Sequence, residues 1–193
     1  MANLTLPSLV DTFGAGHPRI LTCLKLILNV IVKNYPIGTG SLNMAKGGDD
    51  LKVYVASSWR NEYQQTVVNA IRSAGHEVYD FKHPWGAEDG FHWSELDPEW
   101  DRWTPDQFRR ALGHAIASVG FSNDMRGLRW ADACVMVQPC GRSAALELGW
   151  AVGAGKHTAV LLAEPLEPDL MLNVAEELCV NLDEIVSWLE VCD

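Results

Sequence analysis

The sequence predicts an α/β fold, a doubly wound parallel sheet of about five strands in a three-layer α/β/α arrangement. Two observations carry this. From Leu51 onward, short β-rich runs alternate with longer segments of helical character, the pattern of parallel strands joined by helical crossovers. Several helical segments also carry start and stop residues at the positions where the pattern needs them.

Residues 51–56 form the first strand. Residues 62–74 read as a helix with apolar Val67, Val68 and Ile71, closed by Gly75 as a C-terminal cap. Residues 76–81 are the second strand. Thr104 and Pro105 open a helix, a capping hydroxyl followed by proline at the first helical position, that runs to about residue 119. A further helix is expected over 123–131, then a third strand over 133–137. A helix over 143–154 ends at Gly155, and a fourth strand covers 158–162. A fifth strand is expected over 178–182, with Asp183 capping a last helix to about residue 191. No internal repeat is present.

Residues 1–50 depart from this rhythm. They read as an N-terminal extension and linker, either poorly ordered or forming an amphipathic helix on the domain or on a partner. The apolar run over 20–32 is too short to span a membrane, which takes about 20 residues, and it lacks the basic flank of a signal peptide. Residues 34–50 contain Pro36, Gly38, Gly40, Gly47 and Gly48 and look like a linker. The domain proper is expected over 51–193.

A hydrophobic content of 48% and a charged content of 21% over 193 residues are globular values. The formal net charge of −10 argues against a nucleic-acid polymer as partner, since phosphate contacts need clustered Lys and Arg. A single nucleotide needs only one or two local donors. The five cysteines, Cys23, Cys134, Cys140, Cys179 and Cys192, are odd in number and form no CxxC pair. This points to a reducing, cytoplasmic setting without a disulfide framework.

Residues 83–103 interrupt the alternation with four of the chain's eight tryptophans, Trp85, Trp93, Trp100 and Trp103. Flat aromatics suit stacking on a planar ligand, and His92, Trp93 and their neighbours offer groups to read a base edge. The plainer reading is that these rings anchor a long loop to the sheet. His92 lies among acids, but no HxH or HxxxH spacing accompanies it, so no metal is expected.

Three segments should meet at the C-terminal edge of the strands, the usual ligand position in an open α/β sheet. Ser57, Ser58, Trp59 and Arg60 follow the first strand, where Ser and Arg beside a helix start can hold an anion. Asp124 lies ahead of the third strand, with Asp132 at the turn into it; either acid also reads as a cap or turn residue, and Asp132 more as structural. The loop Gly141, Arg142 and Ser143 leads into Glu147, a carboxylate on the apolar side of its helix. A buried charge there costs several kcal/mol unless it is paired or hydrogen-bonded, and a structural pairing with Arg60 or Arg142 is the plain alternative. Cys140 shares the loop, but no nearby His would activate it.

The segments Val53-Tyr54-Val55-Ala56-Ser57-Ser58-Trp59-Arg60, Asp124 with Ala131-Asp132, and Leu146-Glu147-Leu148-Gly149 resemble the nucleoside 2-deoxyribosyltransferase superfamily, which includes the deoxynucleoside 5′-phosphate N-hydrolases. The resemblance implies a Rossmann-like, flavodoxin-type fold and action on an N-glycosidic bond. It implies no metal and no cofactor, and a homodimer or higher homo-oligomer that completes the site. It assigns Glu147 the attack on the anomeric carbon and Asp124 assistance to the leaving base. Arg60, Ser58, Ser143 and Arg142 would bind sugar hydroxyls or a 5′-phosphate. The chain departs from the family in its Trp-rich insert, in the loop over 138–143, and in Leu146, where many of the transferases place Tyr.

The function expected is therefore cleavage of a nucleoside or nucleotide N-glycosidic bond, by hydrolysis or base transfer. The competing class is a nucleotide-binding or sensing module without turnover. A dinucleotide-dependent reductase is set aside, because the turn after the first strand has no GxGxxG.

Overall fold

The computed structural model describes residues 50–164 and 167–192. The expected N-terminal extension, apart from Asp50, lies outside the described residues. Strands β1 (Lys52–Ala56), β2 (Glu77–Asp80), β3 (Ala133–Val137), β4 (His157–Leu161) and β5 (Glu177–Cys179) form one parallel sheet in the order β2-β1-β3-β4-β5. Helices α1 (Tyr63–Ser73), α2 (Pro105–Ala111), α3 (Ala115–Trp130), α4 (Arg142–Gly153) and α5 (Leu182–Leu189) connect or flank them. Among the described residues, no helix is long and apolar enough to cross a membrane.

Side-chain alternation along the strands divides the core in two. Val53, Val55, Val135 and Val137 join Val67 and Ile71 of α1 and Ile185 and Leu189 of α5. Tyr54, Ala56, Tyr79, Cys134 and Met136 turn to the opposite face, against Leu128 of α3 and Ala144, Leu148 and Ala151 of α4. The result is the three-layer α/β/α arrangement that the sequence predicts. Burying a large apolar side chain stabilises by about 1.5–3 kcal/mol, so both faces contribute substantially.

The strand order creates the crevice. The chain passes from β1 to β2 on one side, then crosses to β3 on the other, so the loops after β1 and β3 diverge at a switch point. The Ser57 hydroxyl donates to the Val137 carbonyl at 2.9 Å, and the Asn61 amide donates to the Pro139 carbonyl at 3.1 Å. These bonds tie the two loops together at the mouth of the crevice.

Three boundaries differ from expectation. The break between α2 and α3 falls around Gly113 rather than after residue 119, because the His114 ring accepts from the Ile116 amide and starts α3 there. The last helix is capped by Asn181, whose side chain accepts from the Glu184 amide at 2.9 Å, not by Asp183. That cap shortens β5 to three residues, Glu177–Cys179.

The insert contains two 3₁₀ turns, Trp93–Glu95 and Trp100–Arg102. Trp93 packs edge-on against Phe91, Trp103 and Phe108, with centroids 4.7, 5.6 and 5.8 Å away. Trp85 packs edge-on against Tyr79 and Trp130 at 4.9 and 4.8 Å. These two tryptophans anchor the insert to itself and to the domain, the plainer of the two roles considered for the rings.

Gly120, Asp124 and Gly127 recur at helical spacing on α3. A Cβ at Gly127 would meet the Tyr79 ring at 2.6 Å, and one at Gly120 would meet Phe91 at 2.6 Å. The two glycines let α3 lie close on β2 and the insert, with Asp124 between them. We expect Gly127→Ala to lower the melting temperature, since overpacking costs about 1–3 kcal/mol and exceeds the gain of about 1 kcal/mol in helix propensity. Gly149→Ala on α4, where nothing lies within 4 Å of the added carbon, should raise it. Thermal unfolding of both variants checks the opposite signs.

Candidate active site

Two helices on one face of the sheet deliver two carboxylates to the same place. Asp124 comes from α3 and Glu147 from α4. Beneath them, on that face, the Tyr54 and Tyr79 rings stack at 5.3 Å with a 13° interplanar angle. Adjacent strands hold these tyrosines at the same level, since Tyr54 pairs in register with Tyr79.

Burial raises both carboxyls, and Glu147 also senses the charge of Asp124. Burial, followed by the charge of Asp124, raises the Glu147 carboxyl from its ordinary 4.5 to about 8. Burial raises Asp124 from 3.8 to about 6, against a lowering hydrogen bond from Tyr79. The Tyr79 hydroxyl donates to Asp124 Oδ1 at 3.2 Å. The fully buried Tyr54 hydroxyl approaches Glu147 and acts to lower its pKa, but falls short of a formed hydrogen bond. Burial and then Glu147 hold the Tyr54 hydroxyl well above its ordinary range, so it remains a donor. Glu147 pairs with neither Arg60 nor Arg142. The structural pairing considered for it is absent, which leaves a desolvated carboxylate without a cation among the described residues.

The remaining expected residues fall in different places. Ser57 is buried with its hydroxyl committed to Val137, so it shapes the loop. Ser58 accepts from the Arg60 amide at 3.2 Å in a local turn, and the Arg60 side chain is exposed. Gly141, Arg142 and Ser143 form the exposed start of α4, where no side chain caps the helix. Its first amides and positive dipole end therefore lie beside Arg142, a combination suited to an anion.

Trp59 packs against Phe81 at 5.4 Å and against the His92 ring at 3.9 Å. His92 thus sits between the insert and the loop after β1, while Trp93 lies in the insert's aromatic cluster. Asp132 lies at the opposite end of the sheet, where its carboxylate accepts from the Lys52 amide at 3.0 Å. Burial, then Glu147, raises the Cys140 thiol, the reverse of what a thiolate nucleophile needs. Among the described residues, no group of three or more His, Cys, Asp and Glu is arranged to hold a metal ion.

Sequence reasoning assigned no role to Tyr54 or Tyr79. Their signal was a single tyrosine inside each of two neighbouring apolar strands, a position where the hydroxyl must find something polar.

A cavity of about 230 Å³ opens beside Asp124, between α3 and the insert. Phe81, Phe91 and Gly120 line its walls, and Asp89, Glu95 and Asn123 join Asp124 among its polar groups. A carboxylate pair at a switch point beside such a cavity makes this the candidate small-molecule site, and its groups are of the kind that acid–base or nucleophilic chemistry uses.

No protein-family model matches the chain, and no curated protein does. Among solved structures, the chain is similar to a 2-deoxyribosyltransferase from Bacillus psychrosaccharolyticus, with 19% identity, a TM-score of 0.48, and coverage of 73% of this chain and 91% of that one. It is similar to a conserved protein from Enterococcus faecalis V583, at 11% identity and a TM-score of 0.47, covering 72% and 96% of the two chains. It is also similar to the CMP N-glycosidase of Clostridium botulinum, at 16% identity and a TM-score of 0.40, covering 72% and 98%.

Proposed function

We propose that this protein cleaves the N-glycosidic bond of a (deoxy)nucleoside or nucleoside 5′-monophosphate, with Glu147 as nucleophile and Asp124 as the acid that assists the departing base. The observation that supports this most is the pair of desolvated carboxylates over the Tyr54–Tyr79 stack, with both pKa values raised.

The chemistry follows from that pair. A Glu147 carboxylate oxygen bonds to C1′ as the C1′–N bond breaks, and the bond's electrons go to the base. Asp124 donates its proton to the base, which leaves neutral. A glycosyl ester remains on Glu147, as in a retaining glycosidase. Water or the nitrogen of a second base then attacks C1′ and frees the Glu147 carboxylate, with net retention. Between about pH 6 and 8 the pair holds one proton in total. The working form carries it on Asp124, and the Tyr54 hydroxyl favours that form by donating toward ionised Glu147.

The start of α4 offers helix amides and Arg142, and Arg60 lies on the tied loop opposite. A 5′-phosphate is the substrate group that matches both. The double variant Arg60→Ala/Arg142→Ala should lower kcat/KM for nucleoside monophosphates by about 10- to 100-fold, the scale of charge-assisted contacts, while altering nucleosides only a few-fold. Equal losses on both would remove the phosphate from the reading.

The function is tested by incubating the protein with a panel of nucleosides and nucleoside monophosphates and following free base by chromatography. Release that depends on Glu147 supports the enzyme. A second base added to the reaction separates transfer from hydrolysis. The competing reading, a binding or sensing module, draws on the raised Glu147 pKa, which leaves that residue largely neutral at pH 7. Tight binding without release from any substrate would establish that reading instead.

A further inference from the structure

The cavity between the insert and α3 has a chemical character that the carboxylate pair does not explain. Asp89, Glu95 and Asp124 line it, together with the amide of Asn123, and none of the described lining residues is Lys or Arg. It is therefore unsuited to a phosphate and suited to a neutral ligand that presents N–H donors. Its volume of about 230 Å³ exceeds the ~150 Å³ that accepts a benzene ring, so a planar base fits. Phe81 and Phe91 supply apolar walls, and Phe91 is held rigidly, pressed on Gly120 and braced by Trp93.

The acceptors are not equivalent. Asp89 uses Oδ1 to accept from the Gly90 amide at 2.9 Å, and its Oδ2 lies 3.6 Å from the His92 ring. Among the described residues, Glu95 is held through one oxygen, Oε1, which accepts from the His92 amide at 2.7 Å. Its second oxygen is left for a ligand, on a carboxylate whose direction is already set. Asn123 adds an amide one residue before Asp124 on α3.

We propose, on the basis of the function argued above, that this cavity takes the leaving base and that Glu95, aided by Asn123, selects bases bearing an exocyclic amine, such as cytosine or adenine, over their oxo counterparts. An amine donates to the free Glu95 oxygen. Glu95 is exposed at the cavity's edge, so a carbonyl at the same position meets a hydrated carboxylate that repels it and gains no hydrogen bond. A site built around an acceptor rejects an analogue lacking the donor more strongly than an apolar pocket would.

The test uses two substrate pairs that differ at one exocyclic group, cytosine against uracil and adenine against hypoxanthine, as deoxynucleoside monophosphates with the full-length chain. Base release gives kcat/KM for each, and tryptophan fluorescence gives the binding constant in parallel. The expected result is a preference for the amino member of each pair of about 10- to 100-fold, the scale of a hydrogen bond to a charged group. In Glu95→Gln the preference should shrink to a few-fold or reverse, because the amide can turn either its oxygen or its NH₂ toward the base. Gln also retains an oxygen for the His92 amide, so the turn should be preserved.

Release without amino preference, or a preference unchanged in Glu95→Gln, overturns the proposal and leaves the bond-cleaving function standing. Binding that prefers the amino member and depends on Glu95, without release from any substrate, supports the pocket while sinking the enzymatic reading. Neither release nor selective binding overturns both.

Discussion

Glu147→Gln is expected to abolish base release and to stabilise the protein. Removing a covalent nucleophile costs about 10⁴-fold or more in rate. The stability effect has the opposite sign because Glu147 ionises unfavourably in the fold. Its pKa is about 8 in the folded chain against an ordinary 4.5. Between those values the folded state keeps a proton that the unfolded chain has released, so stability falls as pH rises. Glutamine has no proton to lose. The melting temperature of Glu147→Gln should therefore match wild type near pH 4 and exceed it increasingly up to about pH 8, by several degrees. A variant that loses both activity and stability at every pH would make Glu147 a structural residue.

Asp124→Asn is the second large expectation. Loss of a general acid costs about 10²- to 10⁴-fold, and the loss should depend on the base. A purine already cationic by methylation at N7 leaves without protonation, so its release should be nearly unaffected. The pH profile adds an independent readout. Wild-type kcat/KM should be bell-shaped with limbs near pH 6 and 8, where the pair gains its second proton and loses its last. In Asp124→Asn the alkaline limb should vanish, because only Glu147 need titrate. The remaining acid limb should also lie below pH 8, since the charge that helped raise Glu147 is gone. A uniform loss across bases, with both limbs retained, would assign Asp124 to packing.

Much of the fold was legible because its signals are local. β3 was bounded correctly from its continuous apolar run, as buried parallel strands are. Thr104 and Pro105 marked a helix start through side-chain chemistry that acts within one turn, and Thr104 does accept from the Gln107 amide. The α2–α3 break, expected after residue 119, falls instead around Gly113, which leaves Gly120 inside α3. Its small size serves Phe91, a contact 29 residues away in sequence that no local rule contains.

The site was legible in part for the same reason. Glu147 stood out as a charge on an apolar face, which is visible from helical periodicity alone. The Tyr54–Tyr79 stack depends on strand register, and the cavity depends on where the insert folds back against α3. Neither distance is written in spacing. Trp93, offered by the sequence as a stacking platform, packs within the insert against Phe91, Trp103 and Phe108, contacts that spacing does not show either.

The central claim is that Glu147 bonds to C1′. It is tested most directly by peptide mass spectrometry of the protein after reaction with a nucleoside or nucleotide carrying fluorine at C2′. Fluorine there destabilises the oxocarbenium-like transition state, so the glycosyl ester should accumulate. The base should appear in solution while the peptide containing Glu147 gains the mass of the fluorinated sugar, and Glu147→Gln should gain none. Base release without an adduct at Glu147, giving a sugar of inverted configuration, would contradict it.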